Sequence, residues 1–149
     1  MLRVHNLEDR GRRIEGRWTE RGGRKKMYYH IWFVTKYRKA TLEGKVDRMV
    51  KNIFAECISR HRYSVLEIET NKDHAHMLVE AKDRKEVAGI VRTIKAVSAK
   101  EILAIPHFRE GNVRHFWARR YGCKQVAEND VEKIREYIRN QKDTTRGSV

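Results

Sequence analysis

Two spacings of apolar residues along the chain predict which segments are strands and which are helices. Short segments dense in aromatic and β-branched residues predict strands at 28–37, 63–70, 74–81, 113–118 and 121–126. Apolar residues three or four positions apart predict helices at 46–62, at 84–103, and at the C-terminus as far as about 142. Asp83 and Asn129 are expected to cap the second and third helices, and 108–111 should be a loop.

The order of these elements predicts the fold. It is β-α-β-β-α-β, followed by a short strand segment and a terminal helix, which is the split βαβ or ferredoxin-like order. We therefore expect an α+β protein with an antiparallel sheet, two helices on one face of the sheet, and an additional C-terminal helix. The two central strands should carry the most buried side chains.

The limits of the folded part follow from where these patterns begin and end. Residues 1–26 are polar and basic with scattered apolar residues, so they are predicted to be a basic N-terminal arm or a partly disordered leader. The predicted domain covers 27–142, and 143–149 should be a flexible tail. A chain of 149 residues can form one domain with one apolar core.

The charge of the chain predicts a polyanionic partner. Lysine and arginine number 34 against 20 acidic residues, which gives a net charge of +14. Nucleic acid is the first candidate for such a partner. An anionic membrane surface is the weaker alternative, because no basic amphipathic helix stands alone.

Targeting and redox signals predict a soluble cytoplasmic protein. The first 26 residues lack the apolar core of a signal peptide, and no apolar segment reaches the length of a membrane span. Cys57 and Cys123 lie far apart and outside any Cys-x-x-Cys motif, which disfavours zinc ribbons and disulfide frameworks. We expect reduced thiols.

The first candidate for chemistry is the pair His74 and His76 in the third predicted strand. Side chains alternate between faces along a strand, so both imidazoles should point to the same face. Two imidazoles at this spacing can share one cation, with a third ligand supplied from elsewhere. The alternative is a pair of half-buried histidines that are hydrogen-bonded within the sheet and have a structural role.

The second candidate is the terminal helix. Val131, Ile134 and Ile138 form its packing stripe, and Tyr137 and Gln141 are four residues apart on a neighbouring face. A phenol and an amide oxygen should therefore project from the helix together. If the helix is considered alone, the alternative is that Tyr137 packs in the core and Gln141 is solvated.

Five segments in the same order resemble one family. They are HIWFVTKYR at 30–38, DHAHMLV at 73–79, IK and VS at 94–98, FWARRY at 116–121, and YIRNQ at 137–141. Together they resemble the HUH-type single-tyrosine transposases of IS200-like insertion sequences, over about residues 27–142. This sequence departs from the family pattern at Ala75, where a larger aliphatic residue is usual, and at Gly122-Cys123, where a second aromatic residue is usual.

The resemblance implies a metal-dependent DNA strand transferase. Tyr137 would be the nucleophile that forms a 5′-phosphotyrosine on single-stranded DNA, and His74, His76 and Gln141 would hold Mg²⁺ or Mn²⁺. Asp73 would either orient His74 or cap the preceding turn. The family also implies hairpin DNA at the element's ends and a homodimer, in which the catalytic helix can be shared in trans. The candidate DNA-binding residues are Lys36, Arg38, Lys39, Arg92, Lys95, Arg119 and Arg120.

Two other functions are compatible with the same residues. A ferredoxin-like sheet can stack bases on aromatic side chains such as Tyr28, Trp32 and Tyr37 without any catalysis. Such a nucleic-acid-binding module would need no metal. A domesticated relative would carry out identical chemistry on chromosomal repeats.

Overall fold

The chain forms a four-stranded sheet with helices on both of its faces. The computed structural model describes residues 26–111 and 114–142. The strands are β1 (Met27–Val34), β2 (Ser64–Asn71), β3 (His74–Ala81) and β4 (Gly122–Val126). The helices are α1 (Gly44–His61), α2 (Arg84–Leu103), the short α3 (Pro106–Glu110) and α4 (Val131–Arg139).

The topology confirms the predicted ferredoxin-like fold. The strands lie in the order β2-β3-β1-β4, and β1 pairs antiparallel with both β3 and β4. β2 and β3 form an antiparallel hairpin. α1 and α2 therefore connect strands that are not neighbours, as the split βαβ order requires.

The two faces of the sheet pack against different helices. Alternate residues of β1 and β3 are buried against α1 and α2 in the main core; they are Tyr29, Ile31, Phe33, Ala75, Met77 and Val79. On the opposite face, Leu78 and Val126 pack against Val131 and Ile138 of α4. His30, His74 and His76 alternate with the core residues, so they lie on the face that α4 covers.

Some predicted elements have different limits. β1 ends at Val34, because the chain then forms a 3₁₀ turn at Lys36–Arg38 in which Tyr37 has φ 60°. Within the described residues, the strand predicted at 113–118 is reduced to an isolated bridge between Thr35 and Trp117. The prediction of a loop at 108–111 was wrong for most of that range, because α3 occupies Pro106–Glu110.

The two predicted helix caps had different outcomes. Asp83 caps α2, because its Oδ1 accepts a hydrogen bond from the Glu86 backbone N–H at 2.9 Å. Asn129 is not a cap, because it lies inside a 3₁₀ turn at Glu128–Asp130 and Asp130 precedes α4 without a side-chain capping bond.

The neighbour of Gly122 on β1 explains why this position has no side chain. It lies opposite Trp32, and a Cβ atom at position 122 would come within 2.1 Å of the indole ring. The indole thus fills the space that a side chain would need. A larger side chain at position 122 would clash with this indole.

The structure also bears on two further features, a possible membrane span and the state of the cysteines. No helix among the described residues has the length and apolar character needed to cross a bilayer. Cys57 is buried, Cys123 is partly buried, and both are free thiols. Most of the predicted arm (1–25) and the predicted tail (143–149) lie outside the described residues.

Candidate active site

His74 and His76 lie side by side on β3, with ring centroids 4.9 Å apart. β3 is a central strand, so hydrogen bonds to β2 and β1 hold its backbone from both sides. In this register His74 pairs with Asn71 of β2, and His76 pairs with Trp32 of β1. The sheet therefore presents both imidazoles at fixed positions on one face.

Asp73 orients His74. Its Oδ1 lies 2.7 Å from Nδ1 of His74, and its Oδ2 accepts a hydrogen bond from Nε of Arg38 at 3.1 Å. Burial raises the pKa of the Asp73 carboxyl, but the hydrogen bonds from His74 and Arg38 outweigh it and hold that pKa below its usual value. An ionised carboxylate can only accept a hydrogen bond, so Nδ1 of His74 is the donor in this contact.

His76 has a different partner. Its Nδ1 lies 3.0 Å from Nε2 of His30 on β1, and the side chain is only 8% exposed. Burial, followed by the neighbouring His74 and His30, lowers the pKa of His76 to about 3. Burial, followed by Lys124, lowers the pKa of His30 to about 4. Both imidazoles are therefore neutral at pH 7.

Tyr137 of α4 lies above this pair. Its ring centroid is 6.0 Å from that of His76 and 5.9 Å from that of His30. The side chain is 51% exposed, so its hydroxyl is accessible to a bound molecule. Within one chain, the structure therefore brings the predicted nucleophile next to one of the predicted metal ligands.

Ion pairs hold α4 on the sheet. Glu67 of β2 is buried and accepts hydrogen bonds from Nε of Arg135 at 3.3 Å and from Nη2 of Arg139 at 3.2 Å. Beyond the helix, Lys142 donates to Asp47 at 2.9 Å. These contacts flank Tyr137 on both sides and fix how α4 lies against the sheet.

Gln141 is attached to the same region through Asn71. It is 5% exposed, its backbone carbonyl accepts a hydrogen bond from Nδ2 of Asn71 at 2.7 Å, and its Nε2 donates to the carbonyl of Tyr137 at 3.3 Å. Asn71 pairs with His74 across the β2–β3 ladder. Gln141 therefore lies beside the strand position of His74, with its amide already ordered.

The donors present fit a divalent cation with open positions. Both ring contacts engage Nδ1, so Nε2 of His74 and of His76 are the nitrogens that can coordinate a metal. Within residues 26–111 and 114–142, no three His, Cys, Asp or Glu side chains form a group that could hold a metal ion. Two imidazoles with an amide oxygen are a donor set that suits Mg²⁺ or Mn²⁺ with positions left open.

An open cleft begins at Tyr137 and runs along β4. It has a volume of about 360 Å³ and lies between β4 and the start of α4, and its lining includes His30, Lys124, Lys133 and the acidic Asp130. Neither lysine was predicted from the sequence. Lys133 is four residues before Tyr137, and this helical spacing is a signal that could have identified it. Lys124 lies opposite His30 only because of the β1–β4 register.

The predicted DNA-binding residues lie on several different elements. Lys36 and Lys39 line a second cavity of about 360 Å³ at the end of β1, together with His107 and His115. Arg92 is exposed on α2, and Arg119 and Arg120 are on the loop before β4. Their roles in DNA binding stay predictions.

Lys95 makes hydrogen bonds within the protein that give it a structural role. Its Nζ donates to the carbonyls of Ala118, Arg119 and Arg120 at 2.7, 3.2 and 3.3 Å. Burial lowers the pKa of this ammonium. The side chain connects α2 to the loop that leads into β4.

Lowering the pH should destabilise the metal-free protein through His30 and His76. Their pKa values fall from 6.5 to about 4 and about 3 on folding. Below pH 6.5 the unfolded chain binds protons that the folded chain excludes, so the free energy of unfolding decreases as the pH falls toward 4. We expect the Tm, measured by circular dichroism with a chelator present, to decrease from pH 7 to pH 4.5. In the His76→Gln variant this decrease should be smaller, and an equal decrease would contradict the assignment.

Comparison with known sequences points to one family. A family model for IS200-like transposases matches residues 24–141. The ISDra2 transposase TnpA of Deinococcus radiodurans is 30% identical over 120 residues, which are 77% of this chain and 84% of that protein. The transposase for insertion sequence element IS200 of Salmonella typhimurium is 33% identical over 116 residues, or 76% of this chain and 75% of that protein.

Solved structures agree with this likeness. A candidate transposase from Deinococcus radiodurans superposes with a TM-score of 0.63 at 27% identity, covering 81% of this chain and 95% of that one. A REP-associated tyrosine transposase bound to a REP hairpin superposes with a TM-score of 0.60, covering 83% of this chain and 70% of that one. The second is 12% identical, so its likeness shows the fold alone.

Proposed function

This chain belongs to the IS200-like transposase family, and from that premise we propose that it cleaves and rejoins single-stranded DNA through a covalent 5′-phosphotyrosine at Tyr137. The observation that supports the proposal best is the position of Tyr137, 6.0 Å from His76 between ring centroids and half exposed to solvent. A nucleophile must be accessible to a polymer while lying beside the groups that neutralise developing charge.

The reaction is a transesterification that conserves the phosphodiester bond. The Tyr137 oxygen forms a bond to the scissile phosphorus, the bond from phosphorus to the 3′-oxygen breaks, and the 3′-oxygen leaves and takes up a proton. The reverse attack by a 3′-hydroxyl restores a DNA strand and frees the tyrosine. Free tyrosine has a pKa of about 10, so the phenol must lose its proton as it attacks.

His74, His76 and Gln141 are the residues that we propose hold Mg²⁺ or Mn²⁺ at this site. Such a cation polarises a phosphoryl oxygen and favours ionisation of a neighbouring hydroxyl. Asp73 and His30 each lie within hydrogen-bond distance of Nδ1 of one of the two rings, and neither of these contacts involves Nε2. Asn71 holds the main chain at Gln141.

The cleft beside Tyr137 is the route that we propose for the DNA strand. Val126 and Ile134 contribute apolar surface to its lining, and Lys124 and Lys133 contribute positive charge. A positively charged groove of this kind can follow the backbone of single-stranded DNA. The hairpin beside the cleavage site is proposed on the likeness to a transposase solved with a hairpin.

Reversing the charge of these two lysines should weaken binding of single-stranded DNA. The Lys124→Glu/Lys133→Glu variant removes two phosphate contacts and adds repulsion, so we expect the Kd to rise by about tenfold or more at low salt. Fluorescence anisotropy with a labelled hairpin bearing a single-stranded flank measures this. Lys45→Glu/Lys100→Glu is the matched control, because it makes the same charge change on α1 and α2. Equal weakening in both variants would mean that only the net charge matters.

A homodimer with α4 shared between subunits is part of the proposal. In this structure α4 lies on the sheet of its own chain, and it is joined to β4 only by Ala127 and the turn at Glu128–Asp130. The ion pairs to Glu67 would be the same if α4 docked on a second copy. Exchange of α4 would therefore keep its stabilising contacts.

A covalent adduct tests the proposed function. The protein is incubated with Mn²⁺ and with single-stranded DNA from the regions that flank its gene, including their predicted hairpins. We expect a protein–DNA band that survives denaturation and a released fragment with a free 3′-hydroxyl. A non-catalytic binding module would shift the DNA in a native gel and form no adduct, and this result would overturn the proposal.

A further inference from the structure

We infer that His30 is a positioning residue that holds His76 in the tautomer and orientation needed to bind the metal. The inference rests on the proposed function, because it concerns the metal site proposed there. His30 is on a different strand from the two proposed imidazole ligands, and no role follows for it from the His-x-His pattern.

The first support is the geometry of the contact. Nε2 of His30 lies 3.0 Å from Nδ1 of His76, and the two rings stack with centroids 5.2 Å apart and an interplanar angle of 27°. Trp32 lies against His30 with ring centroids 4.9 Å apart. His30 is also in the middle of β1, where β3 and β4 both hold its backbone. The ring that contacts His76 is therefore itself held in place.

The second support is the chemistry of a hydrogen bond between two imidazole rings. A hydrogen bond between Nε2 of one ring and Nδ1 of the other requires one donor and one acceptor. If His30 donates, the proton of His76 is on Nε2, and that nitrogen cannot coordinate a cation. If His76 donates from Nδ1, its Nε2 carries a lone pair. A His30 that accepts thus selects the form of His76 that binds metal.

The arrangement at His74 supports the same interpretation. Asp73 contacts Nδ1 of His74 at 2.7 Å, just as His30 contacts Nδ1 of His76. Each of the two proposed histidine ligands thus has its Nδ1 in contact with a residue that is not a proposed ligand, which is the usual arrangement for metal-binding histidines.

The test compares two substitutions of His30 in the full chain. His30→Phe keeps a ring and removes the acceptor, whereas His30→Gln places an amide oxygen near the position of Nε2. We expect the Kd for Mn²⁺, measured by titration calorimetry without DNA, to rise by about 10–100-fold in His30→Phe and to recover most of that loss in His30→Gln. Wild-type affinity in a folded His30→Phe variant would overturn the inference.

A second measurement does not depend on a variant. Two-dimensional ¹H–¹⁵N NMR of the imidazole nitrogens reports the tautomer of each histidine in the metal-free wild-type protein. We expect His76 to carry its proton on Nδ1. A proton on Nε2 would overturn the inference even if His30→Phe failed to fold.

The failure of this inference is distinguishable from failure of the metal site itself. The His76→Ala variant should lose Mn²⁺ binding if the proposed site is correct. If it binds as tightly as wild type, the proposed metal site is wrong. If it loses binding while His30→Phe keeps it, the site stands and only the role of His30 is removed.

Discussion

Replacement of Tyr137 by phenylalanine is expected to abolish the covalent protein–DNA adduct and to lower strand cleavage by at least about 10³-fold. The substitution removes only the hydroxyl, so the ring contacts at 5.9 Å to His30 and 6.0 Å to His76 can persist. DNA binding should change little, because the cleft and its lysines are intact. Denaturing gels measure the adduct, and anisotropy measures the binding.

Tyr121→Phe is the matched control for this prediction. Tyr121 is also partly exposed, at 38%, and precedes β4 on the loop that Lys95 holds. Its substitution should leave the adduct intact. If the adduct persisted in Tyr137→Phe, the nucleophile would be another residue, and loss of the adduct in both variants would point to a general defect.

Loss of the metal is the second change with a large expected effect. Either chelation of divalent cations or His76→Ala should reduce cleavage on the order of 10²–10³-fold, because a bound cation is worth several kcal/mol to a phosphoryl transition state. Chelation should be reversed by adding Mn²⁺ or Mg²⁺. The variant should stay inactive at the same concentration, since one of its ligands is missing.

His61→Ala provides the control for the histidine substitution. His61 is at the end of α1, where its Nδ1 lies 3.0 Å from the carbonyl of Cys57, far from the face that α4 covers. This variant should cleave at the wild-type rate. Full cleavage by His76→Ala with a chelator present would remove the metal from the mechanism.

The same two variants answer whether the site is shared between subunits. Neither Tyr137→Phe nor His76→Ala alone has a complete site. In a mixed dimer with exchanged α4 helices, one of the two composite sites has both Tyr137 and His76. Recovered cleavage on mixing would support exchange, and its absence in proven mixed dimers would favour the arrangement within one chain.

The sequence predicted the elements near the site well, because their patterns are local. The limits of β3 and α2 were predicted to the residue, from alternation in one case and from an apolar stripe with a capping aspartate in the other. The same alternation placed His74 and His76 on one face. The motif resemblance added Tyr137, which periodicity alone assigns to packing.

What the sequence did not predict depends on contacts between distant segments. His30 was within a recognised motif, but its contact with His76 requires β1 to pair with β3 in one register. Lys124 enters the cleft only through the pairing of β1 with β4. Asn129 has the composition of a cap, yet the 3₁₀ turn at Glu128–Asp130 shifts the helix start by one residue. For His30 and Lys124 strand pairing decides the outcome, whereas for Asn129 one local turn replaces another.

Side chains of β3 point alternately to the two faces of the sheet. The number of residues in the turn between β2 and β3 therefore decides which residues point to which face. Only Lys72 and Asp73 separate the two strands. Inserting or deleting one residue there would reverse the parity of β3, so that imidazoles would enter the apolar core while Met77 and Val79 turned toward the DNA. Length changes in natural relatives should therefore be excluded from this two-residue turn.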